Sequence, residues 1–366
     1  MGEFELIARY FTRPAPATVP GAPGAADTAG RVVLGVGDDC ALLAPAPGMQ
    51  LAVSSDMLVE GRHFFADVAP ERLGHKALAV NLSDLAACGA RPLAFTLALA
   101  LPEADEDWLA GFARGLFALA DAHGCALVGG DTTQGPRNLS ITVLGEVPAG
   151  QALLRSGARP GDDVYVSGTL GDAALALAAL QGRLPAHWRL PPTVLAAARA
   201  RLEQPTPRVA LGLALRGVAS SAIDVSDGLL GDLGHILQAS GVGACIDCSV
   251  TTLLIAAYAE LSSASGLFDS EFDPATDGEF LRRCTLAGGD DYELLFTTAP
   301  ARRAAVAAAA LSSATPVTRI GRIEAQPGLR LVDGKGRPVP ARYASFDHFA
   351  ASSAGAASNP QEAPGK

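Results

Sequence analysis

Ser221-Ala222-Ile223-Asp224-Val225-Ser226-Asp227-Gly228-Leu229 is the stretch on which the fold turns. Ala222–Val225 has the short apolar character of a buried strand, Ser226-Asp227-Gly228 interrupts it, and a helical pattern runs over Leu229–Ser240. A strand therefore delivers two carboxylates, Asp224 and Asp227, to the point where a helix starts. Glycine at such a junction lets backbone approach a ligand closely.

Five other segments share this grammar. Gly37-Asp38-Asp39 follows the strand Arg31–Val36, and Ser54-Ser55-Asp56 follows the strand Leu51–Ser55. Gly129-Gly130-Asp131-Thr132-Thr133 follows the strand Ala126–Val128, and Gly288-Gly289-Asp290-Asp291 precedes the strand Tyr292–Thr297. Asn81-Leu82-Ser83-Asp84 lies on a helix expected over Pro70–Gly89, with Asn81 and Asp84 on one face. A single Asp-Gly is usually a turn, and Asp38, Asp162 and Asp163 are read that way. Six segments that bring carboxylates to element ends instead predict one shared cleft.

Converged carboxylates repel one another and need a cation. His and Cys do not accompany them at ligand spacing, which argues against zinc. Hard oxygen donors suit Mg²⁺, commonly shared between carboxylates and substrate phosphates. The helix starts at Gly171-Asp172 and Gly228 offer N–H groups to phosphate oxygens.

Working outward, Glu3–Phe11 reads as a helix, Thr12–Gly30 as a loop, Leu93–Leu101 as a strand, Asp105–His123 as a helix and Leu139–Val147 as a strand. The turn-rich segment from Arg155 to Asp162 marks a domain boundary near residue 150. Beyond it come strand Val164–Ser167, helix Asp172–Leu180, helical stretches around Thr193–Arg216, strand Ala244–Asp247, helix Arg302–Leu311 and strand Val317–Ile323. Ser262–Glu279 reads as a surface insertion, and residues 350–366 as a disordered tail. Strands and helices do not alternate regularly, so the fold class is α+β, two layers rather than a doubly wound sheet. The domains are residues 1–150 and 151–349.

The chain has 366 residues with 38 acidic and 28 basic side chains, a formal charge of −10. That balance disfavours a nucleic-acid or anionic-membrane binder. No apolar run reaches the roughly 20 residues a membrane helix needs. The N-terminal residues lack a basic, then apolar, signal pattern, and six scattered Cys read as reduced thiols in a cytoplasmic protein. Cys245-Ile246-Asp247-Cys248 is a lone C-x-x-C on a strand; Cys40 and Cys88 read as small core residues, and His75 and His235 as structural. No G-x-x-x-x-G-K-[ST] and no protein-kinase motif set occurs.

Taken together, Gly35–Leu43, Asn81–Ala87, Gly129–Thr133, Arg155-Ser156-Gly157-Ala158, Ile223–Leu229 and Asp291-Tyr292-Glu293-Leu294 resemble the thiamine-monophosphate kinases. Their superfamily includes aminoimidazole ribonucleotide synthetase and selenophosphate synthetase. The resemblance runs from Gly2 to Phe349. It implies a two-domain PurM-like fold whose N-terminal domain builds a β-barrel across a homodimer interface, with a C-terminal α/β sandwich. It implies ATP-dependent phosphorylation of thiamine monophosphate with several Mg²⁺ ions. By motif position Asp39, Ser54, Ser55, Asp56, Asp84, Asp131, Asp224 and Asp227 are implied metal ligands. Gly130, Asp131, Arg155 and Ser226 are implied nucleotide contacts, and His63, Asp290 and Phe346 substrate contacts. Asp227, Asp131 and Arg155 are the implied catalytic set. The family usually has Glu at the position of Asp290 and Gly at that of Ser345. The residues before Arg31 lack the reactive Cys of selenophosphate synthetases, and the chain lacks the C-terminal Cys of the hydrogenase-maturation relatives. Competing functions are another ATP-using member of the superfamily, a metal-dependent phosphatase, or a nucleotide-binding sensor.

Overall fold

Glu3–Leu6 forms a helix, α1, that continues as a wider π-type turn at Ile7–Phe11. The structure, a computed structural model, describes residues 2–13, 30–256, 276–340 and 343. Most of the expected loop Thr12–Gly30, most of the expected insertion Ser262–Glu279, Phe346 and the expected tail lie outside the described residues.

The first half continues through β1 (Val32–Leu34), β2 (Leu42–Leu43), β3 (Met49–Val59), α2 (Pro70–Ala87), β4 (Arg91–Leu101), α3 (Glu106–His123), β5 (Ala126–Gln134) and β6 (Asn138–Pro148). β1 and β2 pair as a short ribbon, and the longer strands make a four-stranded sheet ordered β3-β6-β4-β5. β4 and β5 are parallel because α3 carries the chain across between them. Alternation along β3 is regular: Ala52, Ser54, Asp56 and Leu58 face the helices, while Leu51, Val53, Met57 and Val59 are exposed on the other face.

The second half comprises β7 (Asp163–Ser167), α4 (Asp172–Leu180), α5 (Pro192–Glu203), α6 (Val209–Ala214), β8 (Ser221–Val225), α7 (Leu229–Ser240), β9 (Gly243–Asp247), α8 (Cys248–Thr252), α9 (Thr276–Ala287), β10 (Glu293–Thr298), α10 (Arg303–Ser312), β11 (Val317–Glu324), β12 (Gly328–Val332) and β13 (Pro338–Val339). Its seven-stranded sheet runs β13-β12-β9-β11-β7-β10-β8 and is antiparallel except at β12–β9. Two mixed sheets with helices against them make a two-domain α+β architecture.

Helix α2 lies between the two halves. Pro70 opens it and Glu71 faces its N-terminal dipole. Leu73, Leu78, Leu82 and Leu85 are buried, and each full burial stabilises by about 1.5–3 kcal/mol. Against α3 the approach is backbone to backbone. A Cβ on Gly115 would stand 1.8 Å from the Glu71 carbonyl oxygen, and one on Gly74 2.1 Å from that of Phe112. Gly115→Ala would force these helices apart.

Several expectations are corrected. Asp56 lies inside β3, not after it, because the alternating pattern continues to Val59. Gly129-Gly130-Asp131-Thr132-Thr133 is not a turn but part of β5, which is bulged where its register with β4 shifts. Gly130 has φ +148, and a Cβ there would meet the Leu97 carbonyl oxygen at 1.9 Å, so this glycine permits a close strand approach. Helix α9 occupies the end of the expected insertion, and β12 and β13 add two strands beyond those the sequence pattern marks. Cys40 and Cys88 are exposed rather than core. Cys248 begins α8 instead of ending a strand; burial pushes its thiol up to about 11, against thiolate chemistry at this C-x-x-C.

Candidate active site

A cavity of about 1150 Å³ lies between the halves. Its acidic end is lined by Ser55, Asp56, Asp84, Asp224, Ser226, Asp227 and Asp290, so four of the six acidic segments contribute five sequence-predicted carboxylates, from β3, α2, the end of β8 and the loop before β10. His63 and Arg62 line it from the loop after β3, and α4 and α9 supply an apolar wall including Ala174, Leu177 and Phe280.

Neighbours hold the carboxylates of Asp84 and Asp224 and the backbone that carries Asp56 and Asp227. Asn81 on α2 accepts from the Asp56 backbone N–H at 3.1 Å, and its own amide donates to the Ala77 carbonyl at 3.0 Å. Ser54 Oγ donates to Asp84 Oδ2, while Ser55 Oγ turns to Thr142 at 3.0 Å. Ser83 Oγ donates 2.7 Å to Asp224 Oδ2, a buried bond from α2 to β8 that ties the halves together at the site. Asp232, in the first turn of α7, accepts from the N–H groups of Ser226, Asp227 and Gly228, each at 3.1 Å.

That last arrangement narrows one expectation: the N–H groups of Ser226, Asp227 and Gly228 ahead of α7 are taken by Asp232, and the Gly171 N–H ahead of α4 is taken by buried Asp291 at 2.9 and 3.0 Å, so these four do not offer themselves to phosphate. A carboxylate four residues past Gly228, on a helix's first turn, is the signal that could have revealed Asp232.

The electrostatics are those of a cluster short of positive charge. Burial, then Asp84, pushes Asp224 up to about 8. Burial, then Asp84 and Asp227, pushes Asp56 up to about 6. Asp84 is also raised by burial, offset by the Ser54 hydroxyl and by the Arg155 guanidinium. Burial pushes Asp232 up to about 7 against the pull of its three N–H donors. Among the described residues, no three His, Cys, Asp or Glu side chains already form a closed metal cage. The donor set of carboxylates and hydroxyls matches a hard cation that takes its remaining ligands from water and phosphate.

Not every predicted residue joins this cavity. Arg155 is exposed beside Asp84. Asp39 is exposed on the β1–β2 connection. Asp131 and Gly130 lie across the sheet. In register, Asp56 opposes Ile141, Ile141 opposes Leu97 and Leu97 opposes Gly130. Three strand spacings put Gly130 about 14 Å from Asp56. Asp131 is one residue on, hence on the opposite sheet face, in a row with Ala98, Ser140 and exposed Met57.

This two-domain architecture, with the cleft between its halves, is that of the AIR synthase related proteins. The N-terminal domain model of that family matches residues 37–147 and its C-terminal domain model residues 159–334. Within it, the chain belongs to the thiamine-monophosphate kinase family. It is 45% identical over 350 residues to the thiamine-monophosphate kinase of Salmonella typhimurium, covering 95% of this chain and 98% of that one. It is 38% identical over 358 residues to that of Haemophilus influenzae, with the same coverage. The crystal structure of thiamine-monophosphate kinase from Stenotrophomonas maltophilia K279a superposes with a TM-score of 0.72 at 48% identity, covering 84% of this chain and 92% of that one. A structure described as AaThiL complexed with AMPPCP and TMP has a TM-score of 0.66 at 28% identity, covering 84% of this chain and 89% of that one.

Proposed function

We propose that this chain transfers the γ-phosphoryl group of ATP to the phosphate of thiamine monophosphate, giving thiamine diphosphate and ADP. The observation that carries this reading is the cleft itself: four carboxylates from both halves, short of positive charge, in a chain of the thiamine-monophosphate kinase family. The acceptor is an anionic phosphate oxygen and needs no general base. The difficulty is bringing two polyanions together, which positioning and electrostatics resolve.

Asp56, Asp84, Asp224 and Asp227, with Ser54 and Ser55, would hold Mg²⁺. When bound, the cations offset the charge of both reactants and of the transferring group. Ser83 holds the Asp224 carboxylate, and Asn81 and Asp232 hold the backbone that carries Asp56 and Asp227. Arg155, on the rim beside Asp84, takes up charge on the nucleotide, and Ser226 contacts it. His63 and Asp290 contact the acceptor, and Phe346 stacks on its rings. An acceptor oxygen attacks the γ-phosphorus as the bond to the β,γ-bridging oxygen breaks, in line and without a phosphoenzyme.

The exposed row Leu51, Val53, Met57 and Val59 on edge strand β3 is the face on which two copies pair, extending the sheet into a barrel across the interface. Gly130 and Asp131, across the sheet from Asp56 in their own copy, and exposed Asp39 then serve the cleft of the partner. The working units are residues 1–150 and 151–349. No described helix is long and apolar enough to cross a membrane, and we assign the activity to the cytoplasm.

ADP formation with and without thiamine monophosphate, with free phosphate followed alongside, tests the reading. ADP release that requires the acceptor and liberates no free phosphate is expected, with inversion at a chiral γ-phosphorus. Phosphate release from thiamine monophosphate without ATP would make the chain a phosphatase; tight ATP binding with no turnover would make it a sensor.

A further inference from the structure

Among the described residues, one cation beside the cleft is buried, and it comes from α2. Lys76 is 3% exposed, and its Nζ lies 2.9 Å from Asp290 Oδ1 and 3.3 Å from the His63 carbonyl oxygen. Asp290 Oδ1 also accepts from the Tyr292 hydroxyl at 3.1 Å. Among the described residues no hydrogen bond reaches Asp290 Oδ2, and Asp290 lines both the large cavity and a smaller one beside it of about 70 Å³.

The loop that carries Asp290 is held in an unfavourable shape. Asp290 and Tyr292 have φ of +66 and +52, the left-handed region that side chains other than glycine avoid. Two backbone bonds of 2.8 Å fix it: Asp290 N–H to the Ser226 carbonyl and Tyr292 N–H to the Val225 carbonyl. The fold thus spends local strain to aim one carboxylate into the cleft. A buried ammonium is costly unless paired. Lys76 is nevertheless placed against Asp290 and not against Asp56, Asp84, Asp224 or Asp227.

We propose that Lys76 is a positioning residue for the phosphoryl acceptor, acting through Asp290. The proposal rests on the kinase reading above. The ammonium balances the Asp290 charge and pins Oδ1, so that Oδ2 presents a fixed, charge-neutralised hydrogen-bond acceptor. Such a group suits an N–H donor on the acceptor's heterocycle, whereas the uncompensated carboxylates suit cations and phosphate. Its second contact, to the His63 carbonyl, sets the spacing between the loop after β3 and the loop before β10 with one charge. Lys76 therefore fixes the two walls between which the acceptor's ring system lies.

The test compares wild type, Lys76→Met and the charge-balanced double variant Lys76→Met/Asp290→Asn in the full chain. Calorimetric titration with thiamine monophosphate alone is read beside the two KM values and the melting temperature. In Lys76→Met the dissociation constant and KM for thiamine monophosphate should rise roughly tenfold or more, with the KM for ATP within about twofold of wild type. The double variant, which leaves no buried charge unpaired, should fold and keep the weakened acceptor binding. Wild-type acceptor affinity in folded Lys76→Met or in the double variant would overturn the proposal. So would a parallel rise in both KM values, which marks a structural role. The titration needs no turnover. Absent ADP formation by the wild type, with acceptor binding still weakened by Lys76→Met, would count against the kinase reading and for Lys76.

Discussion

Carboxylates on packed elements, Glu293 on β10 and the cluster of Asp56, Asp84 and Asp224 that reaches the neighbouring strand β8, are treated oppositely by this fold. Glu293, fully buried on β10, receives a two-pronged contact from Arg208 at 2.7 and 2.6 Å, a third bond from Arg201 at 2.7 Å and a fourth from Ser167 at 2.6 Å. Its charge is balanced from within the chain. The carboxylates of Asp84 and Asp224 accept from serine hydroxyls, among the described residues no basic group beyond Arg155 offsets the cluster, and burial first, then repulsion from neighbouring carboxylates at Asp56 and Asp224, raises the values of all three. At Glu293, closed off from the cleft, the fold supplies the countercharge and the carboxylate is structural; at Asp56, Asp84 and Asp224, on the cleft wall, it withholds it and a ligand has to bring it.

The contrast can be broken at either pole. Asp227→Ala removes a proposed cation ligand and should lower kcat by about three orders of magnitude with the melting temperature little changed, measured by steady-state kinetics and calorimetry. Near-normal turnover would remove Asp227 from the site. Glu293→Gln does the converse: it strands two part-buried arginines and should cost about 3 kcal/mol of stability, read from the denaturant midpoint, with acceptor KM unchanged in the folded fraction. The comparison also extends across the proposed dimer. Asp131→Ala and Asp227→Ala homodimers should each be inactive, yet mixing and re-equilibrating them should return about a quarter of wild-type activity, since half the dimers are mixed and each mixed dimer has one intact site. No recovery in demonstrated mixed dimers would place Asp131 in the cleft of its own copy or outside the site.

Local signals were legible in the sequence, and long-range ones were not. Helices Asp172–Leu180 and Leu229–Ser240 were read to the residue, because glycine, the first apolar position and the periodicity all lie within the segment itself. The convergence of Asp56, Asp84, Asp224 and Asp227 was legible because each follows or sits within a recognisable element end or helix face. The placement of Asp131 was not. A strand that continues through Gly129-Gly130 looks like a turn until its partner strand β4 is known. Lys76 and Asp232, and the structural part that Asp291 plays, are not legible for the same reason: each is defined by a partner on another element, or by backbone whose path depends on the whole loop. Exposed Cys40 and Cys88 show the reverse error, small residues assumed buried from their type alone.

The most direct test of the withheld countercharge is the stabilisation that Mg²⁺ brings as a function of pH, taken as the difference in melting temperature with Mg²⁺ and with EDTA, both with a non-hydrolysable ATP analogue. Asp56 and Asp224 have values raised in the folded state, to about 6 and about 8. The stability their protons lend the cation-free fold is complete below about pH 4 and is lost as pH rises through those values. Cations compete with those protons. The Mg²⁺-dependent increment should therefore grow from pH 6 to pH 8 in the wild type and shrink in Asp84→Asn. An increment that is absent, or the same at every pH and in both proteins, would contradict the account.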